Sequence, residues 1–241
     1  MPMPDEEVSR ALVVAAHPDD IDFGSAGTVA TWTDAGIEVT YLVCTFGDAG
    51  GFDDTPREEV PAIREAEQRA AGEAVGVKDV RFLSGYADGY LEVGHDLVRD
   101  IARVIRQVRP QRVVAQSPER WWDRLPASHH DHLACGEATV RAVYPAARNP
   151  FAYPELAHEE GLDAWTVPEL WLVAHPTPDH YVDVTDVLDR KLAALRAHAS
   201  QTAHLGDELD RFVRQAWGET ARAAGWGEGR YAEAYKVVSL G

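Results

Sequence analysis

The chain has 241 residues, 45% of them hydrophobic, and a formal net charge of −17 at neutral pH. This composition provides a sizeable core for one large domain and excludes a disordered chain. Nucleic-acid binders and proteins that adhere to anionic membranes carry basic surfaces, so the acidic balance argues against both kinds of partner.

Targeting signals and cysteine motifs are missing from the sequence. The first ten residues, MPMPDEEVSR, lack the basic and apolar regions of a signal peptide, and no apolar run approaches the ~20 residues of a membrane-spanning helix. Cys44 and Cys135 lie in apolar runs without CxxC spacing, which predicts two small core residues rather than a disulfide framework or a zinc knuckle. We therefore expect a cytoplasmic protein.

Apolar β-type runs alternate with helical stretches along most of the chain. The predicted strands are 11–16, 37–46, 80–83, 112–116 and 170–174. The predicted helices between them are 24–35, a stretch that ends near 74, 96–108 and 132–143. Such alternation is typical of a mostly parallel sheet with right-handed crossovers. The sequence predicts a doubly wound, Rossmann-like α/β fold with helices on both faces of the sheet.

The pattern becomes irregular after the fourth predicted helix. Segment 146–168 contains three prolines and is predicted to be a long excursion of the kind that often carries function. Beyond it we expect an edge strand at 181–184, a helix at 186–201, a helix from about 206 and a short final strand, AYKVVSL. We expect one domain over 1–241, with a core at about 11–203 and a C-terminal extension at about 204–241.

The stretch VVAAHPDDIDFGSAG, residues 13–27, places acidic side chains directly after the first apolar strand. Ligands of open parallel sheets bind beyond the carboxyl ends of the strands, which is where His17 falls. Pro18 favours a rigid turn, so Asp19 and Asp20 project from it. Adjacent carboxylates near a histidine are stabilised by a divalent metal ion. His17 and Asp20 can be ligands, which leaves Asp19 free to take a proton from water.

A second polar cluster, ASHHDHLACGEA, follows the predicted strand 112–116 and opens the next helix. Catalytic zinc sites have three protein ligands and one open position. A histidine of this cluster is the expected third ligand, because it too follows a strand at the same edge of the sheet. One of its histidines can still be an exposed residue without a role in the site, and we expect this to be His130.

These two motifs resemble those of the PIG-L/LmbE-like superfamily of zinc-dependent de-N-acetylases, which act on N-acetylglucosamine conjugates. The family pattern is an apolar strand running into A-H-P-D-D and a later H-x-D-H, and residues 16–20 and 129–132 match both. The resemblance extends over roughly 11–203. It implies that His17, Asp20 and His132 bind zinc, with another divalent transition metal as the alternative, and that Asp19 is the general base.

Further roles follow from the same resemblance. His129 would polarise the substrate carbonyl and protonate the leaving amine, with Asp131 orienting it. Arg64 matches a helical R-x-x-E element with Glu67 and is expected to reach polar groups of the substrate. Asp88 falls where relatives place a substrate-contacting loop.

The sequence departs from the family pattern at one position near the zinc motif. Ile21 stands where an acidic residue often follows the two aspartates, and Asp22 is expected to take over part of its role.

Two further stretches bear on the pocket. Trp121 and Trp122 cannot both point inward easily, so one of them, with Trp122 as the candidate, is expected to form an apolar wall of the substrate site. HPTPDH, residues 175–180, mimics the metal motif but has no counterpart as a ligand pair in the family, so we interpret it as a loop.

The expected activity is hydrolysis of a linear amide C–N bond that releases the acyl group from a small N-acylated sugar conjugate. A thiol or other non-sugar conjugate is an alternative substrate, and a non-catalytic sugar- or metal-binding module is an alternative function. A nucleotide-dependent oxidoreductase is disfavoured because GSAG lacks G-x-G-x-x-G and the acidic turn would repel a pyrophosphate. A serine hydrolase is disfavoured because no G-x-S-x-G occurs. The sequence leaves open whether the chain forms a homo-oligomer.

Overall fold

The structure is a computed structural model that describes residues 2–52 and 54–240, so Met1, Asp53 and Gly241 of the predicted domain lie outside the described residues. The strands are β1 (Arg10–Ala15), β2 (Glu38–Val43), β3 (Asp79–Phe82), β4 (Arg112–Gln116), β5 (Glu169–Val173), β6 (His180–Asp183) and β7 (Ala232–Ser239). The helices are α1 (Asp20–Asp34), α2 (Val60–Ala74), α3 (His95–Val108), α4 (His130–Arg141), α5 (Pro154–His158), α6 (Leu188–Ala197), α7 (Ala199–Thr202) and α8 (Glu208–Ala223).

The strands form one sheet in the order β3-β2-β1-β4-β5-β7-β6. The first five strands in that order are mutually parallel. The final strand, β7, lies between β5 and β6 and is antiparallel to both. The C-terminal segment thus contributes an inner strand, and β6 forms the edge as predicted.

Both faces of the sheet are covered by helices. Successive residues of β1 alternate between two apolar clusters: Leu12 and Val14 join the cluster that contains side chains of α3 and α4, whereas Val13 joins the cluster of α1 and α2. This period of two is what a strand buried on both faces requires. The doubly wound, mostly parallel α/β prediction is confirmed. Cys44 and Cys135 are buried as free thiols with their Sγ atoms 3.7 Å apart.

Two helices differ from their predicted bounds more than the others do. Helix α1 begins at Asp20 rather than at Gly24, because the N–H groups of Asp22 and Phe23 both donate to the Asp19 carbonyl, at 2.9 Å. Acidic residues favour a helix N-terminus, although here they resemble a polar loop in the sequence. The predicted helix 186–201 is divided at His198, whose φ/ψ of −80°/58° separates α6 from α7.

The irregular segment after α4 is held by a buried arginine. The Arg106 guanidinium on α3 donates to the carbonyls of Ala146, Ala147 and Asn149 at 3.0–3.2 Å. A guanidinium fixed in this way satisfies backbone carbonyls that no strand or helix pairs. None of the helices in 2–52 and 54–240 combines the length and apolarity needed to cross a membrane.

Helix α4 packs against the end of β4 at a glycine. A Cβ at Gly136 would lie 2.3 Å from the Gln116 carbonyl oxygen. We expect Gly136→Ala to lower the free energy of unfolding by roughly 1–3 kcal/mol, since backbone on both sides must move apart. Urea denaturation measures the change. Gly227→Ala is the control, because nothing lies within 4 Å of its Cβ position; equal losses in the two variants would contradict the close approach.

Candidate active site

The two polar motifs meet at the carboxyl edge of the sheet. His17 follows β1, and residues 129–132 follow the irregular loop after β4 and open α4. Because β1 and β4 are adjacent and parallel, their carboxyl ends lie side by side. The ring centroids of His17 and His132 are 5.3 Å apart, and the His129 ring is 5.2 Å from each of them.

The turn after β1 has an unusual backbone. Asp19 has φ of 84°, a region that costs energy for a residue with a side chain. Its N–H donates to Gln68 Oε1 at 2.9 Å. The buried Arg64 donates to the Pro18 carbonyl at 2.7 Å and to Asp19 Oδ2 at 2.9 Å. Contacts from α2 therefore hold Asp19 in its conformation.

His17 has carboxylates at both ring nitrogens. Its Nδ1 lies 3.2 Å from Asp20 Oδ2, and its Nε2 lies 2.9 Å from both Asp88 Oδ1 and Asp131 Oδ2. Burial lowers the pKa of His17, but the hydrogen bonds to Asp131 and Asp20 outweigh it and raise the pKa to about 12. The site therefore attracts a positive charge strongly.

Asp20 connects His17 to the second motif. Its Oδ1 lies 3.0 Å from His132 Nε2. Burial would raise the pKa of Asp20, but His132 and His17 hold it well below the usual range, and Asp20 in turn raises the pKa of His132. Burial and the neighbouring His17 and His132 lower the pKa of His129.

Asp19 differs from Asp20 in its partners. Burial and the adjacent Asp20 raise the pKa of Asp19 to about 6, against the opposing effect of Arg64. Two neighbouring carboxylates thus have separated pKa values, a pattern typical of acid–base sites.

The donors fit a divalent transition metal. Among the described residues, ligand atoms of His17, His129 and His132 lie within 4.8 Å of one another, as do those of His17, Asp88 and Asp131. The contacts of Asp20 with the two imidazoles, 3.2 and 3.0 Å, are close to the ~3.3 Å between ligands of a tetrahedral zinc ion. Imidazole and carboxylate are the ligand types that zinc takes.

Two further carboxylates, those of Asp88 and Asp131, lie at Nε2 of His17. Asp131 already accepts from the N–H groups of Gly89 and Leu91 at 2.7 and 3.1 Å, and Asp88 accepts from Ala49 N–H at 2.8 Å. Asp88 Oδ1 and Asp131 Oδ2 can receive the Nε2 proton of His17, which leaves Nδ1, 3.2 Å from Asp20 Oδ2, available to a metal ion.

The structure gives three of the predicted site residues partners within the protein that the sequence did not predict. The Asp131 carboxylate contacts His17 rather than orienting His129, to which only its backbone N–H donates. The Asp88 carboxylate likewise contacts His17, and a contact of its loop with the substrate stays a prediction. Arg64 is 4% exposed and bonds to protein atoms, so it supports Asp19 rather than reaching outward. Each departure arises because the buried charges of this site find partners within the protein.

Trp121, not Trp122, lines the cavity beside the site. The Trp121 N–H donates to Ser128 Oγ at 2.7 Å, whereas the Trp122 side chain is 77% exposed. His175, interpreted as a loop residue, is buried and lines the same cavity. Its position at the end of β5, on the same sheet edge as His17, was the signal that could have identified it.

The cavity extends from the two motifs toward the C-terminal helix. Its volume is about 640 Å³, and both Asp20 and His132 contribute to its wall. A cavity of this size accommodates a small-molecule ligand. It gives the site a defined space for a substrate.

Comparisons with known proteins place the chain among deacetylases. A family model described as GlcNAc-PI de-N-acetylase, PIG-L, matches residues 12–143. A Bacillus cereus protein named "Probable N-acetyl-alpha-D-glucosaminyl L-malate deacetylase 2" is 37% identical over 201 residues, which cover 80% of this chain and 84% of the relative. The structure of N,N'-diacetylchitobiose deacetylase from Pyrococcus horikoshii is similar with a TM-score of 0.88 at 27% identity, over 98% of this chain and 86% of that one.

A hydratase has the same fold. The structure of GalB, the 4-carboxy-2-hydroxymuconate hydratase of Pseudomonas putida KT2440, is similar with a TM-score of 0.77 at 24% identity, over 97% of each chain. The fold therefore hosts more than one reaction, and the reaction has to be argued from the site.

The contact between Asp131 and His17 makes a testable prediction. We expect Asp131→Asn to weaken binding of Zn²⁺ by ~10–100-fold, because an amide no longer fixes the Nε2 proton of His17. Competition with a chromophoric chelator measures the affinity. Asp186→Asn, at an exposed position, is the control and should bind Zn²⁺ like the parent protein. An unchanged affinity in folded Asp131→Asn would contradict this role.

Proposed function

Because the chain belongs to the PIG-L family, whose model matches residues 12–143, we propose that it is a zinc-dependent hydrolase that removes the N-acetyl group from an amino-sugar conjugate. The observation that carries the proposal is the Asp20 carboxylate between His17 Nδ1 and His132 Nε2, with Asp19 beside it on a strained turn. The ligands we propose are His17, Asp20 and His132.

A zinc ion held by these side chains would polarise the amide carbonyl and lower the pKa of a water molecule toward neutrality. Asp19 then accepts a proton from the attacking water. Burial and the charge of Asp20 raise the pKa of Asp19 to about 6 in the protein without metal, which favours a base, because a base works best when its pKa is close to the working pH. Arg64 keeps the carboxylate in place while its charge changes.

His129 acts on the carbonyl oxygen. The Asp131 backbone N–H donates to His129 Nδ1 at 3.3 Å, which leaves the proton of the neutral ring on Nε2. The lowered pKa of His129 favours that neutral form, so Nε2–H donates a hydrogen bond to the developing oxyanion. A neutral imidazole is a poor acid. We therefore assign the proton for the departing amine to Asp19, which has received one from water, rather than to His129 as the sequence suggested.

The relatives indicate which substrates to test. Those described above are named for N-acetylglucosaminyl malate and diacetylchitobiose. A panel of N-acetylglucosamine conjugates, together with a thiol conjugate lacking the sugar, should be screened for release of free amine and of acetate in equal amounts. Elemental analysis of the purified protein should find about one zinc per chain, as expected for a mononuclear catalytic site. Metal without acetate release from any compound would favour a binding module.

The role of Asp19 as base predicts a selective loss of turnover. Asp19→Asn should keep its zinc and lower kcat by ~10²–10⁴-fold, because the amide cannot accept the proton. Asparagine tolerates positive φ, so the turn is retained. Steady-state kinetics with elemental analysis measures both quantities. Asp207→Asn, at an exposed position, is the control; normal hydrolysis by Asp19→Asn would refute the assignment.

The ligand role of His132 predicts loss of the metal. His132→Ala should purify with little zinc and bind added Zn²⁺ more weakly, because the site keeps only His17 and Asp20 of the proposed set. His130→Ala is a matched control, since His130 lies two residues earlier on the same helix and is exposed. An unchanged zinc content in His132→Ala would remove this residue from the ligand set.

A further inference from the structure

One apolar face of helix α8 packs against the rest of the protein. Leu209 and Val213 are buried against Leu188, Leu192 and Leu195 of α6. The spacing of four residues places Leu209 and Val213 on the same side of the helix. This face attaches α8 to the rest of the protein.

A second row of α8 residues faces the cavity instead. Phe212 and Ala216, four residues apart, line it together with Trp217. Phe212 is 48% exposed, and its ring stands 6.1 Å from that of Trp217 in an edge-to-face arrangement. The packing of α8 on α6 leaves Phe212 exposed, whereas it partly buries Trp217. An aromatic side chain left open to a cavity is typical of a ligand-binding surface.

Other residues that line the cavity are also apolar. Val173 and Ala174 at the end of β5 and Ala232 and Ala234 of β7 contribute small side chains to it, and Trp121 adds an aromatic ring. Cavity walls of this composition gain free energy by removing apolar ligand surface from water. The cavity is continuous with Asp20 and His132 and therefore opens onto the reacting centre.

Three polar side chains of the wall are already engaged within the protein, although the charged Arg124 and Glu208 also line it. Glu233 pairs with Lys191 at 2.7 Å and accepts from Gly27 N–H at 3.0 Å. Gln116 Oε1 accepts from Ala16 N–H at 3.0 Å, and His175 Nδ1 accepts from Thr177 N–H at 3.1 Å. A sugar ring would bring hydroxyl groups that need partners on burial. An apolar group has no such requirement.

We propose that this cavity binds an apolar substituent of the amino-sugar substrate, larger than the acetyl methyl group, and that Phe212 and Trp217 select for it. The inference rests on the proposed function and narrows the substrate class to conjugates with a hydrophobic part. That part can be the group attached at the anomeric carbon or an N-acyl chain, and the chemistry of recognition is the same for both.

Binding measurements test the proposal without relying on turnover. Calorimetric titration of the full-length protein compares two series of ligands: methyl and hexyl glycosides of glucosamine, and N-acetyl- and N-hexanoyl-glucosamine with the Asp19→Asn variant. We expect Kd to fall by at least ~10-fold from the short to the long member in one series, through burial of the added methylenes. The series that responds identifies the source of the apolar group.

Phe212→Ser should reduce that ratio of Kd values to less than about half of its parent value, because the wall loses its exposed aromatic ring. Phe151→Ser is the matched control: Phe151 is 88% exposed, does not line the cavity, and should leave the ratio unchanged. Equal affinity for short and long members in both series would overturn the proposal, as would an unaltered ratio in Phe212→Ser. Chain-length dependence in a protein that releases no acetate would instead refute the proposed function alone.

Discussion

The site depends on a concentration of negative charge around one imidazole. Three carboxylates, those of Asp20, Asp88 and Asp131, lie within 3.2 Å of the ring nitrogens of His17 at the carboxyl edge of the sheet. Carboxylates this close repel one another unless a cation lies among them. The protonated imidazole supplies that charge in the protein alone, and a bound divalent ion would supply more of it. Both motifs of the sequence serve this one electrostatic requirement.

The conformation of Asp19 depends on a network of hydrogen bonds that begins at its backbone N–H. Gln68 accepts from the Asp19 N–H and donates to Asp22, whose Oδ2 also lies 2.8 Å from His198 Nε2. Lys191 donates to the carbonyls of Asp22 and Phe23 at the start of α1. A residue at positive φ persists only where its surroundings determine its conformation. Asp22 therefore supports the turn through Gln68 and His198.

Apolar runs and short motifs in the sequence predicted those parts of the fold that depend on residues close together in the chain. Strand β4 has the predicted bounds because its apolar run is fully buried, and the HPDD and H-x-D-H motifs were correctly placed at neighbouring strand ends. The partner of the Asp131 carboxylate could not be predicted, because this side chain can turn toward the imidazole of His129 or toward that of His17. The same is true of Trp121 and Trp122, of which Trp121 lines the cavity and Trp122 is exposed. Tertiary contacts decide both.

The C-terminal segment has two roles: Glu233 supports the site, and Phe212 selects the ligand. Glu233 on β7 accepts from Gly27 N–H and Thr28 N–H inside α1 and pairs with the buried Lys191, so it fixes the helix that begins at Asp20. Breaking a buried ion pair of this kind is costly. Phe212 lies in the same segment, and its exposed side faces the cavity. Substitutions at Phe212 can therefore change which apolar group binds at little cost in stability, whereas substitutions at Glu233 would disturb the reacting centre itself.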